Sequence, residues 1–136
     1  MKTRLIKNVL GILFVLGTFT SCSLDDGKEQ NCSQVIGAST LEVTGPTEAA
    51  VNEEITLTVS YKIASTCGDF YAFNNQTVNA TEKKIGVLVT YDVCNCDNVL
   101  SIATEPYKFK VATAGVYKLK FAITNEVFLT HTVTVE

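Results

Sequence analysis

A chain of 136 residues, 46% hydrophobic and 18% charged, with 8 Gly, 2 Pro, no Trp and a single His, has room for one ordinary globular domain and excludes a multidomain enzyme. Eleven basic residues stand against 14 acidic ones, a net charge of -3, so the chain offers no basic surface for nucleic acid. Compartment and fold class can be read from the residues, whereas no motif reaches a specific ligand or reaction.

The chain begins with Lys2, Arg4 and Lys7, followed by an uncharged, mostly apolar run of 11 residues, 9–19. A spanning helix needs about 20 apolar residues, so this run is the apolar centre of a signal peptide. It ends in Thr18, Phe19, Thr20, Ser21 and Cys22, small residues leading into a cysteine, and the pattern resembles a bacterial lipoprotein signal. The resemblance implies cleavage before Cys22, lipid on its thiol and a membrane partner through that lipid. Phe19 departs from the family, which favours an aliphatic residue there. Ser23, Leu24, Asp25, Asp26 and Gly27 are similar to the acidic tag of surface-exported lipoproteins of the Bacteroidetes, which implies an outer-membrane anchor with the body displayed at the cell surface. On this reading residues 1–21 are the signal peptide, 22–37 the lipidated cysteine and a polar, flexible tether, and 38–136 the domain.

Loss of residues 1–21 removes three basic residues and no acidic ones, leaving eight lysines against 14 acidic residues, a net of -6 with no arginine. Nucleic acid and phosphate are thereby excluded further as partners. With Cys22 assigned to lipid, Cys32, Cys67, Cys94 and Cys96 remain, an even set for an oxidising compartment. Cys94 and Cys96 are too close in sequence to bridge each other readily, so each joins Cys32 or Cys67, in either of two connectivities. A four-thiolate zinc site fits poorly because no C-x-x-C pair is present.

From residue 38 onward the apolar period is two. Weaker runs at 40–44 and 69–74 flank the clearest strand, 54–63, in which Ile55, Leu57, Val59, Tyr61 and Ile63 alternate with polar residues. Val87, Val89, Tyr91 and Val93 continue the pattern, then Tyr107, Phe109 and Val111, then Tyr117, Leu119, Phe121 and Ile123, and a last run at 127–135. Turn chemistry separates them at Gly45-Pro46, Asn74-Asn75, Thr113-Ala114-Gly115 and Asn125-Glu126. About seven strands with one wet face predict an all-β antiparallel β-sandwich. Gly45-Pro46 with residues 51–59, residues 113–119 and the closing 132–135 resemble bacterial immunoglobulin-like domains, over roughly 38–136. The resemblance implies a tyrosine corner at Tyr117, its hydroxyl bonded back to the turn. The chain departs from the antibody type of that fold in having no core Trp and no inter-sheet disulfide, since apolar residues such as Val59 and Leu119 stand at the positions for it.

For catalysis the chain has one imidazole, His131, on the core-facing parity of the last strand, and scattered carboxylates with no nameable pair. The expectation is therefore no enzyme, no cofactor and no resident metal. Asp92, Asn95, Asp97 and Asn98 supply oxygen ligands in one loop but lack a calcium-loop pattern. Lys108, Lys110, Lys118 and Lys120 read as solubilising rows on sheet faces. The one candidate binding region is Phe70, Tyr71 and Phe73 with Asn74, Asn75 and Gln76, aromatic planes beside amides, as a sugar ring or a peptide uses. Strands alternating in direction place all four cysteines and the tether at one end and the loops 45–52, 74–83 and 112–115 at the other. The functional expectation is a non-enzymatic, lipid-anchored interaction or accessory module with a protein or glycan partner at those distal loops; the alternative is a glycan-binding accessory of a polysaccharide-uptake system.

Replacing Cys22 removes the one thiol that can take the lipid. The variant Cys22→Ala should lose fatty-acid label in metabolic labelling, and label retained by it, or absent from the wild type, contradicts the anchor.

Overall fold

The computed structural model describes residues 32–136, so Cys22, the signal peptide and the tether up to residue 31 lie outside the described residues. Nine strands follow one another in chain order: β1 (Ser33–Ala38), β2 (Thr40–Thr44), β3 (Glu48–Ala49), β4 (Ile55–Ile63), β5 (Gly68–Asn79), β6 (Glu82–Asp92), β7 (Ser101–Phe109), β8 (Gly115–Ala122) and β9 (Phe128–Val135). No helix occurs among the described residues. The alternation sets the faces: Ile55, Leu57, Val59, Tyr61 and Ile63 of β4 are all buried, and so are Ile85, Val87, Val89 and Tyr91 of β6. With Tyr107, Phe109, Tyr117, Leu119, Phe121, Val133 and Val135 they form one apolar core between two sheets.

The smaller sheet is antiparallel, in the order β2-β4-β7, and the larger has six strands, β1-β6-β8-β9-β3 with β5 also on β6. The count is therefore nine rather than about seven, and the larger sheet is mixed rather than antiparallel, a strongly curled half-barrel. Its parallel pairings are β6 with β8, from Glu82 opposite Lys118 to Ile85 opposite Phe121, and β3 with β9. One edge of β6 carries β5 along its length, while the other edge is divided between β8 over residues 82–85 and β1 over residues 87–92. Residues 33–37, read from composition as tether, thus belong to a strand. From Ser33 to Thr44 the chain holds one direction and changes sheet at Ser39, whose carbonyl accepts the Lys62 N–H at 3.0 Å.

Asn74 and Asn75, expected in a turn, lie inside β5 opposite Gly86 and Ile85. The reversal comes five residues later, where Asn79 Oδ1 accepts the backbone N–H of Thr81 at 2.9 Å, the side-chain mimicry of a turn for which Asn is suited. Gly45 closes β2 at φ 147°, a conformation that side chains rarely adopt, and a Cβ there would stand 2.7 Å from Leu57 Cδ2. Tyr117 sends its hydroxyl to the Thr113 carbonyl at 2.7 Å, fixing the 110–114 turn against the start of β8.

Two disulfides, Cys32–Cys94 and Cys67–Cys96, decide between the two connectivities left open by the sequence. Both lie at the end where β1 begins, where the Val93 N–H also reaches the Cys32 carbonyl at 2.6 Å and the Thr66 N–H the Asp97 carbonyl at 3.0 Å. At the opposite end Val51 N–H bonds the Glu136 carbonyl, Asn52 N–H the Val111 carbonyl and Lys118 N–H the Thr81 carbonyl. The loops 45–52, 80–81 and 110–114 therefore share the end away from the cysteines.

A bridge stabilises mainly by restricting the unfolded chain, typically by about 2–4 kcal/mol. Cys32–Cys94 spans 62 residues and Cys67–Cys96 spans 29, so chain entropy makes the first worth roughly 0.7 kcal/mol more. Urea unfolding of the Cys32→Ser/Cys94→Ser and Cys67→Ser/Cys96→Ser variants should show both destabilised, the first more than the second.

Candidate functional site

The candidate region starts in β5, and a bulge between Phe70 and Ala72 decides how it is displayed. Strict alternation would send Phe70 and Phe73 to opposite faces. The extra residue puts both on the inner side, half-buried, with ring centroids 5.0 Å apart, and leaves Tyr71, the bulged residue, 60% exposed. Phe70 and Phe73 join an aromatic chain across the mouth of the sandwich: Phe70 lies 6.3 Å from Tyr61, Phe73 5.1 Å from Tyr107, and Tyr107 5.4 Å from Phe121. Asn75 also turns inward, accepting the Tyr107 hydroxyl at 2.7 Å and so tying β5 to the edge of the other sheet. Three of the six candidate side chains, Phe70, Phe73 and Asn75, are therefore committed to joining the sheets.

Asn74 and Gln76 face outward, opposite Gly86 and Lys84 of β6. Because Gly86 has no side chain, a shallow cleft of about 400 Å³ opens over it, walled by Asn74, Gln76, Lys84, Ile123, Asn125 and Phe128. It lies where β1 has ended and β8 takes over the edge of β6. Lys84 holds its ammonium 5.0 Å from the Phe128 ring centroid, a contact that orients the cation across the cleft. Two amides, an ammonium and an aromatic ring supply hydrogen-bond donors and acceptors and an apolar plane, the equipment for hydroxyl-rich or peptide-like ligands. Reasoning from the chain alone missed Gly86, Lys84 and Phe128, which meet the amides only through strand register.

Elsewhere the groups serve the fold. His131 is half-buried with Nε2 3.0 Å from the Pro46 carbonyl, pinning the 45–47 turn to β9. Cys32, Asp92 and Cys94 cluster within metal-ligand distance, yet both cysteines are spent in one disulfide and Asp92 Oδ1 accepts the Cys94 N–H at 2.9 Å. Asp97 of the same loop contributes its backbone carbonyl to Thr66 and Val99. Lys120 bonds Glu82 at 2.7 Å, and that hydrogen bond holds the Glu82 carboxyl below its ordinary range. Lys108 pairs with Glu54 at 3.0 Å across exposed surface, a contact of small energetic consequence. Comparison with protein-family models, with curated proteins and with solved structures finds no match.

Burial pushes the phenol of Tyr107 above its ordinary range. The Tyr61 phenol is raised too, first by burial and then by Glu105, Tyr91 and Asp69. The folded protein keeps these protons to higher pH than the unfolded chain, so their contribution to stability is complete below about pH 10 and is lost as pH rises through the folded values. Urea midpoints measured from pH 8 to pH 11 should fall steeply above pH 10. In Tyr107→Phe the alkaline fall should be shallower, with a loss at pH 8 of about 1 kcal/mol for the missing hydrogen bond; equal slopes for both proteins would contradict the assignment.

Proposed function

We propose that the chain is a lipid-anchored, immunoglobulin-like interaction module displayed at the outer-membrane surface, tethered through Cys22 and presenting the end remote from its cysteines to a partner. One observation carries the reading: both bridges and the first described residue, Cys32, lie at one end, and the loops 45–52, 80–81 and 110–114 lie at the other. An anchor joined to Cys32 leaves the remote loops as the surface a partner meets first. The immunoglobulin-like assignment is supported by two β-sheets over one core and by the Tyr117 hydroxyl on the Thr113 carbonyl, the interaction of a tyrosine corner. The parallel contact of β6 with β8 and the absence of Trp set the domain apart from the antibody type.

The accessory role in glycan uptake is the second reading, favoured by the cleft over Gly86 with its amides, Lys84 and Phe128. It differs from the first in place as well as in ligand, since the cleft lies on a sheet face and not at the loop tips.

Photo-crosslinking on intact cells separates the two. A crosslinking residue at Thr113 should capture a partner and one at Asp97 should not, whereas capture at Asp97 alone contradicts the proposed orientation. On a glycan array, residues 23–136 should bind at least tenfold more strongly than Asn74→Ala/Gln76→Ala if the second reading holds; no glycan bound by either protein removes it.

A further inference from the structure

The end that carries the cysteines also carries the two most exposed large aliphatic side chains among the described residues, with two half-exposed ones beside them. Leu100 is 75% exposed, Ile102 68%, Val93 51% and Ile36 46%. Leu100, Val93 and Ile36 line one crevice of about 480 Å³ with Tyr91, Ala64 and Lys62, and Ile102 lies directly opposite Lys62 in the β4–β7 register. Single exposed aliphatics are ordinary, but neighbouring ones at one end of a small domain mark a contact surface. The bridges restrain this surface, because Cys94 and Cys96, within the segment that connects Val93 to Leu100, are bonded to Cys32 and Cys67.

From this arrangement we infer that the stapled end is a lipid-contacting surface, with Leu100, Ile102, Val93 and Ile36 seated in the interfacial layer of the membrane that holds the anchor. The inference rests on the anchoring reading of Cys22. Ten residues beyond Cys22 the chain reaches Cys32, so the domain's stapled end stays within about 35 Å of the lipid even when the tether is extended. Tethering makes the second contact intramolecular, so a modest apolar surface suffices. Charge contributes little: Lys62 at the rim is offset by Asp92 and Asp97 on the same end, which favours a zwitterionic lipid face over an anionic one.

The chain has no Trp, so one introduced indole is a unique reporter. Mature lipidated protein carrying Leu100→Trp is reconstituted into phosphatidylcholine vesicles with brominated acyl chains, beside Val116→Trp on outward-facing β8 near the remote end. Val93→Trp serves as a second proximal reporter should Leu100→Trp fail to fold. The expected result is quenching at position 100 or 93 at least threefold stronger than at 116. Equal quenching, or a blue-shifted but unquenched indole at 100 indicating a crevice closed on itself or on a soluble apolar ligand, would overturn the inference while leaving the anchor intact. A mature chain without lipid by mass measurement would overturn the anchor and this inference together.

Discussion

The fold depends on one constraint, that a single strand must serve three neighbours. β6 pairs with β5 along one edge and divides the other between β1 and β8, while its inward residues Ile85, Val87, Val89 and Tyr91 fill the core. The two strands on that shared edge run in opposite directions, β1 antiparallel and β8 parallel to β6, within a sheet curled into a half-barrel. The curl brings the larger sheet around the three strands of the smaller one. Packing is close at the stapled end, where a Cβ on Gly68 would clash with Ile63 Cγ2 and stand 2.7 Å from Tyr91 Cε1, so glycine lets β5 begin directly against these two side chains.

Covalent bonds hold the weakest part of this arrangement. β1 is exposed along nearly its whole length and pairs on one side only, so burial contributes little to keeping it in place. The Cys32–Cys94 bridge joins the residue before β1 to a residue just past β6, and it secures the pairing in which Ser33 stands opposite Asp92. Two bridges of about 2–4 kcal/mol each are comparable with the whole net stability of an ordinary domain, about 5–15 kcal/mol. The same bonds that stabilise the domain also define its two ends.

What could be read from the chain was what burial imposes on it. The alternation gave the inward residues within β4, β6, β7 and β8, but Val93 and Ile123, read as continuing the runs of β6 and β8, lie past the strand ends and are exposed; the family resemblance pointed to the Tyr117 hydroxyl that reaches Thr113. β1 was illegible because a strand exposed on both faces has no periodicity. The second half of β5 failed for the same reason, its exposed run from Asn74 to Asn79 looking like a turn. Opposite faces for Phe70 and Tyr71 followed from alternation, but the shared face of Phe70 and Phe73 required a bulge that no residue announces. The cleft was hidden for another reason: Asn74, Gly86 and Phe128 come from three strands, and only the register of the curled sheet brings them together.

The central claim is that the cysteines close one end of the domain, with exposed aliphatic side chains beside them and the interlocked turns at the other end. Its most direct test is the disulfide pattern of the native protein, read by partial reduction with stepwise alkylation and mass spectrometry, since Asn95 alone separates Cys94 from Cys96. Bridges from Cys32 to Cys94 and from Cys67 to Cys96, with no free thiol among the four, are the predicted result. A Cys32–Cys67 bridge, the exchanged pairing, or four reducible thiols in the folded protein would contradict it.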